Sequence, residues 1–177
     1  MLDVMIDLET MGNGPEAAII AVGAVEFDVS EMRIGERFYA VVDLESSVRM
    51  GGVIDASTVL WWMKQDDAAR SAFSRDSKHL AEVLQMFDRW MMGRAPLDKI
   101  KVWGNGAAFD NVILAGAYRR NYSEIPWKFW NDRCYRTLKA QYPEVPMQRT
   151  GTYHNAVDDA ENQARHLISI VQSMRAA

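Results

Sequence analysis

The segment LDVMIDLE, residues 2–9, has an aliphatic side chain at every second position. A period of two is typical of a β-strand, so we predict a strand over residues 2–9. Asp7 and Glu9 then point to the same face of that strand. Two carboxylates beside a packed strand repel each other unless a cation lies between them, although a solvent-exposed strand face also produces such pairs. The segment therefore predicts a strand that carries either a cation site or a solvated face.

The remaining sequence alternates between strand and helix patterns. Strands are predicted over residues 17–27, 37–42 and 101–104, and the first two of these extend the first strand into a three-stranded antiparallel meander. Helices are predicted from Ser57 onward and over residues 77–94, 109–120, 132–141 and 157–174. We therefore predict one α/β domain, residues 1–177, in which a mixed central sheet that begins with the meander is flanked by helices.

Composition supports one ordinary globular domain. The chain has 177 residues, of which 49% are hydrophobic and 25% are charged. Cys134 is the single cysteine and cannot form an internal disulfide, which favours a reducing compartment and a structural thiol. The sequence has no signal-peptide pattern and no apolar run of membrane-spanning length. We expect a cytoplasmic protein that does not engage a membrane.

The charge is distributed unevenly along the chain. The net charge of −4 argues against a protein that coats nucleic acid through a basic surface. Residues 117–149, here called the basic segment, nevertheless have seven Lys or Arg against three acids, a local charge of 7 − 3 = +4. This segment predicts either a solvated helix face or a basic border beside an acidic site.

Two further segments carry candidate functional residues. WGNGAAFDN, residues 103–111, is a strand that ends in glycines and leads into a helix, with Asp110 in the first helical turn. A carboxylate there is either a helix-start acid or a ligand at the carboxyl edge of a strand. HNAVDDA, residues 154–160, opens the last helix, where His154 and Asp159 can converge on one point. Asp158 is expected to point about 100° away from Asp159, and His79 and His166 are expected at or near the surface.

Together, the three segments resemble one family. Asp-x-Glu on the first strand, Asn-x-x-x-Phe-Asp after a later strand and His-x-x-x-x-Asp at the last helix are similar to the three motifs of the DEDD superfamily of 3′–5′ exonucleases, histidine subtype. That superfamily has the ribonuclease H-like fold and includes oligoribonuclease, ribonuclease T and proofreading subunits. Residues 57–65, with their Trp-Trp pair, also resemble phage and bacterial exonuclease VIII-like proteins and mycobacterial exoribonuclease-like proteins.

The resemblance implies a metal-dependent 3′–5′ exonuclease that removes nucleoside 5′-monophosphates from single-stranded RNA or DNA with a free 3′ end. His154 is the implied general base for a two-metal-ion mechanism with Mg²⁺ or Mn²⁺. The implied metal ligands are Asp7, Glu9, Asp110 and Asp159. The implied substrate contacts are Thr10, Met11, Trp61 and Trp62, with core filling as the alternative for at least one of the two tryptophans.

Two other functions remain open on the sequence alone. One is a catalytically silent nucleic-acid-binding protein that kept the fold, and the other is a hydrolase of very short oligonucleotides. The content of six Trp and eleven Met, more than one small core needs, also favours a homodimer.

Overall fold

A five-stranded mixed sheet forms the centre of the protein. The structure is a computed structural model that describes residues 1–71 and 76–176. The strands are β1 (Leu2–Thr10), β2 (Ile19–Asp28), β3 (Arg33–Val41), β4 (Ile100–Gly104) and β5 (Asp132–Cys134). Their spatial order is β3-β2-β1-β4-β5. β1, β2 and β3 pair in antiparallel fashion, whereas β4 and β5 are parallel to β1, so the predicted meander and mixed sheet are confirmed.

Helices cover both faces of this sheet. Their bounds are α1 (Leu44–Arg49), α2 (Ala56–Trp62), α3 (Asp67–Ser71), α4 (Leu80–Met91), α5 (Asp110–Arg120), α6 (Tyr135–Ala140) and α7 (Ala156–Ala176). On one face, Val4, Ile6 and Leu8 of β1 pack into an apolar core with α4 and α5. On the other face, Met5 packs into a smaller core with α7.

Two glycines allow helices to approach the sheet beside the acidic residues of β1. A Cβ atom on Gly23, which pairs with Asp7, would lie 2.1 Å from the carbonyl carbon of Ala156 at the start of α7. A Cβ atom on Gly104 would lie 2.4 Å from Asn111 Oδ1 in the first turn of α5. Any larger residue at these positions would collide with a helix. Glycine therefore lets α7 begin against β2 and lets α5 begin against β4, the two strands that flank β1.

Several boundaries differ from the sequence prediction. The predicted helix over residues 132–141 is wrong at its start, because residues 132–134 form β5, which pairs in parallel with β4 at residues 102–104. A strand of three residues is too short to show a period, so tertiary pairing overrides the helical pattern there. The sequence analysis also missed α1, which Asp43 caps by accepting the N–H of Ser46 at 2.8 Å. α2 begins after Asp55 rather than after Ser57.

The two histidines expected near the surface have different environments. His79 is exposed, and its Nδ1 accepts the N–H of Ala81 at the start of α4. His166 is buried, so the expectation was wrong for this residue. Its Nδ1 lies 2.5 Å from the Tyr135 hydroxyl and its Nε2 lies 2.7 Å from the Val145 carbonyl oxygen. Two polar partners therefore make this burial possible.

Within residues 1–71 and 76–176, no helix has the length and apolar character needed to cross a membrane.

Candidate active site

Three carboxylates meet where β1 passes the start of α5. Asp7 and Glu9 lie on the α7 side of β1, as the alternation predicts, and Glu9 is buried. Asp110 is the first residue of α5 and is only 2% exposed. Its Oδ1 accepts the N–H of Leu8 at 3.2 Å, which fixes the carboxylate at the residue of β1 that separates the two acids. The parallel pairing of β1 and β4 thus brings together residues that are about a hundred positions apart.

α7 brings the remaining two predicted residues to the same place. Asp159 lies in the first turn of α7, and its Oδ2 accepts the backbone N–H of His154 at 3.2 Å. His154 has a left-handed backbone with φ = 57°, a strained conformation for a residue with a side chain. Ligand atoms of Glu9, His154 and Asp159 all lie within 4.8 Å of one another. The three sequence motifs therefore converge on one point.

Burial and mutual repulsion disfavour the charged forms of these acids. Burial raises the pKa of Glu9 to about 8, with a further contribution from the Asp110 charge. Burial also raises the pKa of Asp110 to about 7. The pKa of Asp7 lies well above its usual value because of burial first and of the Asp110 and Glu9 charges next. A cluster of buried carboxyls with raised pKa values is the electrostatic condition that a bound cation relieves.

The electrostatics of His154 differ from those of the acids. Burial, followed by the nearby positive charge of Arg149, lowers the pKa of the imidazole below its usual value. The ring is therefore mainly neutral at neutral pH and can accept a proton.

Sequence reasoning missed or only partly identified several residues of the site. Gln163 donates from Nε2 to Asp7 Oδ1 at 2.7 Å, and its place one turn after Asp159 on α7 was a signal for it. Arg149 forms an ion pair with Asp159. Arg136 and Lys139 of α6 also line the cavity. The three basic residues belong to the basic segment, whose charge was recognised without their individual positions.

Trp61 and Trp62 occupy different environments, although they are neighbours in α2. Trp61 is 43% exposed and lines the cavity, and its ring centroid lies 4.9 Å from that of His154. Trp62 is 5% exposed, and its indole N–H donates to the carbonyl oxygen of Thr10 at 2.9 Å. Thr10 is buried, and Met11 packs with Trp62 in a small apolar cluster. The core-filling alternative thus describes Trp62, whereas Trp61 borders the site.

Asp158 points away from the carboxylate cluster. It accepts a hydrogen bond from the Arg37 guanidinium at 2.6 Å and another from the N–H of Thr152 at 2.9 Å. The residue thus ties the start of α7 to β3 and to the preceding loop.

The acids, His154 and Trp61 border a cavity of about 650 Å³. Its lining includes these carboxylates and three basic side chains, Arg136, Lys139 and Arg149. A cavity lined by both acids and basic side chains can hold a divalent cation and a phosphate at the same time.

Residues 2–171 match the sequence profile of a family described as the 3′–5′ exoribonuclease Rv2179c-like domain. The match includes all three motifs that converge in the cavity. The chain belongs to this family. Membership in the Rv2179c-like family confirms that the protein is a 3′–5′ exonuclease with a nucleic-acid substrate, as the motifs predicted.

Relatives of the Rv2179c-like chain agree with this assignment. The exodeoxyribonuclease of Enterobacteria phage T4 is 28% identical over 162 residues, which cover 77% of this chain and 70% of the phage protein. The nuclease domain of 3′hExo, a DEDDh family member bound to rAMP, has a TM-score of 0.65 at 16% identity, over 97% of this chain and 92% of that one. The E. coli ExoI–ssDNA complex has a TM-score of 0.69 at 15% identity, over 99% of this chain but 41% of ExoI. These structures show that the fold is the one predicted from the DEDD resemblance.

Proposed function

We propose that the protein is a divalent-metal-dependent exonuclease that removes nucleoside 5′-monophosphates from the 3′ ends of single-stranded RNA or DNA. The observation that supports this most directly is the convergence of Asp7, Glu9, Asp110, Asp159 and His154 on one cavity from separate elements. The single domain over residues 1–177 stays a prediction.

The donor set fits hard divalent cations. Asp7, Glu9, Asp110 and Asp159 offer carboxylate oxygens, which Mg²⁺ and Mn²⁺ prefer over softer ligands. The raised pKa values of Glu9 and Asp110 indicate acids that lack enough compensating positive charge. Two ions held there would supply electrostatic stabilisation of the attacking and leaving oxygens during displacement at phosphorus. We therefore assign the four carboxylates as ligands of two Mg²⁺ or Mn²⁺ ions.

His154 is the proposed general base. Its lowered pKa keeps the imidazole neutral, and its ring lies beside Glu9 and Asp159 at the cavity. His154 takes a proton from the attacking water while the water oxygen forms a bond to phosphorus. The bond between phosphorus and the 3′ oxygen of the preceding nucleotide breaks in the same displacement, this oxygen takes up a proton from solvent, and the terminal nucleotide leaves as a 5′-monophosphate.

The exposed side chains at the cavity are the proposed substrate contacts. Trp61 presents an exposed ring at the cavity for stacking with a terminal base, a contact worth about 1–3 kcal/mol in single-strand binding proteins. Trp62 and Met11 support this surface from behind, and Thr10 anchors Trp62 through its carbonyl oxygen. Arg136 and Lys139 are proposed to bind backbone phosphates along the wall of the cavity.

A time course on denaturing gels tests this function. Matched 5′-labelled single-stranded RNA and DNA oligonucleotides are incubated with Mg²⁺, Mn²⁺ or EDTA. We expect a metal-dependent ladder that shortens from the 3′ end. Both sugars are needed because the family is described as an exoribonuclease, whereas the phage relative is an exodeoxyribonuclease. Absence of a ladder with every metal and both strands would overturn the proposal.

The role of His154 has a matched control in the same chain. His154→Ala is expected to lower kcat by about 10²–10⁴-fold because it removes the proton acceptor. His79→Ala replaces an exposed histidine that caps α4 and is not among the residues that line the cavity, and it should leave kcat unchanged. A loss of Mn²⁺ affinity in His154→Ala as large as the loss of kcat would make His154 a metal ligand instead.

The homodimer stays a prediction. Phe129 and Trp130 are 74% and 57% exposed, and their ring centroids lie 5.1 Å apart. Light scattering on the protein as it elutes from a size-exclusion column measures its molar mass. This mass distinguishes a monomer from a homodimer.

A further inference from the structure

Arg149 holds a position that the proposed mechanism does not explain. It lies in the loop between α6 and α7, and its guanidinium forms an ion pair with Asp159 through Oδ1. The same guanidinium lies over the ring of Tyr153, with 4.3 Å between its central carbon and the ring centroid. Its side chain is 35% exposed, so it is not locked in the core. A cation on a long side chain thus occupies one oxygen of a proposed metal ligand.

The charge of Arg149 acts on the whole cavity. It contributes to lowering the pKa of Asp7 against the larger opposing effect of burial, and it contributes to lowering the pKa of His154. It also contributes to lowering the pKa of Lys139 on α6. Arg149 also lines the same cavity as Asp7, His154 and Lys139.

Arg149 and a divalent cation have a common partner in Asp159. Its Oδ2 accepts the N–H of His154, and its Oδ1 accepts from the Arg149 guanidinium. A cation that binds Asp159 through Oδ1 therefore competes with the guanidinium for that oxygen. Once displaced, a guanidinium offers several N–H donors in a planar fork that matches phosphate oxygens.

We infer that Arg149 exchanges partners during the reaction, giving up Asp159 when a divalent cation binds and then binding a non-bridging oxygen of the substrate phosphate. This inference rests on the proposed function. The Tyr153 ring lies against the guanidinium and keeps the side chain of Arg149 near the cavity. Arg149 then pairs with Asp159 when metal and substrate are absent, and it binds the substrate phosphate when both are present.

Calorimetry of the substrate-free chain tests the first half of the exchange. Arg149→Met removes the competing charge and keeps a long side chain, so we expect Mn²⁺ to bind about 2- to 5-fold more tightly than in the parent chain. Lys139→Met removes another positive charge from the same cavity and serves as the control for a general field effect. Equal tightening in both variants, or no tightening in Arg149→Met, would overturn direct competition.

Binding of the reaction product tests the second half. With saturating Mn²⁺, Arg149→Met is expected to bind adenosine 5′-monophosphate about 10- to 100-fold more weakly, because a charge-assisted hydrogen bond to phosphate is lost. Arg149→Lys should recover part of this loss. Unchanged nucleotide affinity in Arg149→Met would overturn the phosphate contact, and weakening of both Mn²⁺ and nucleotide would indicate a structural role only.

The gel assay separates this inference from the proposed function. Arg149→Met should lower kcat on a labelled oligonucleotide by about 10- to 100-fold. Arg89→Met, an exposed arginine on α4, should match the parent chain. A parent chain that forms no ladder contradicts the proposed function, whereas a ladder with parental Mn²⁺ and nucleotide affinities in Arg149→Met contradicts only the exchange.

Discussion

The two faces of β1 illustrate how one strand serves stability and chemistry separately. Val4, Ile6 and Leu8 lie on the α4 and α5 side, where they join a continuous apolar core. Asp7 and Glu9 lie on the α7 side, where burial raises the pKa of both carboxyls. Apolar burial stabilises the folded state, while buried and clustered carboxylates oppose folding. Substitutions on the charged face should therefore lower activity without lowering stability, whereas substitutions on the apolar face should lower stability without lowering kcat.

The largest expected effect comes from the charged face. Asp7→Asn keeps the shape of the side chain and an acceptor for Gln163, but it removes a charge from the carboxylate cluster. We expect exonuclease activity to fall by more than about 10²-fold, while the melting temperature in EDTA stays the same or rises because a buried charge is removed. Gel assays and thermal unfolding in EDTA measure the two quantities on the same preparation. Activity within a few-fold of the parent chain would remove Asp7 from the ligand set.

Much of this face could be predicted from the sequence because its signals are local. The alternation of residues 2–9 is enough to put Asp7 and Glu9 on one side of the strand. Asp110 and Asp159 stand near helix starts, which the glycines at residues 104 and 106 and the turn before residue 154 mark. Local periodicity and turn patterns therefore placed these acids on their strand and helices, whereas their grouping into one metal site came from the resemblance to the DEDD superfamily.

The features that sequence reasoning did not resolve depend on tertiary contacts. Trp61 and Trp62 are part of a run of five apolar residues, so no period separates the exposed ring from the buried one. The hydrogen bond from Trp62 to the Thr10 carbonyl oxygen is what distinguishes them. The ion pair of Arg149 with Asp159 and the burial of His166 against Tyr135 likewise join separate elements. Such pairings leave no periodic trace in one sequence.

The apolar face should give the converse result. Ile6→Ala leaves a cavity beneath β1, because Ile6 is fully buried next to Gly104 of β4. We expect the free energy of unfolding to fall by about 2–5 kcal/mol, while kcat per folded molecule stays within about two-fold of the parent. Urea unfolding and kcat corrected for the folded fraction measure this. Ile6→Val, a smaller deletion costing about 0.5–1.5 kcal/mol, keeps the test available if the alanine variant does not fold.

A loss of kcat in the Ile6 variants that exceeds the loss of folded protein would contradict the separation of the two faces. It would mean that packing under β1 also sets the positions of the carboxylates above it. In that case the apolar and charged faces of β1 do not act independently.

The smallest expected effect is a gain of stability on the charged face. Burial raises the pKa of Asp110 to about 7, above its value in the unfolded chain, so the folded state holds a proton that the unfolded state has lost. The free energy of unfolding of the metal-free protein should therefore fall as the pH rises from about 4 to about 7. Asp110→Asn removes this group and keeps an acceptor for the N–H of Leu8. At pH 8 in EDTA, we expect the variant to be more stable than its parent, and this difference should vanish near pH 4.

Added metal should reverse the order of stability of the parent chain and Asp110→Asn. Mg²⁺ that binds the folded parent chain stabilises it by mass action, whereas Asp110→Asn binds the ion weakly and gains less. Urea unfolding of both chains at pH 8, with EDTA and then with excess Mg²⁺, measures which chain has the larger free energy of unfolding in each condition. A variant that is less stable than its parent in EDTA would show that the hydrogen bond from Leu8 to the charged carboxylate outweighs its burial. The cost of keeping acids on this face of β1 would then be small, and the contrast with the apolar face would concern catalysis alone.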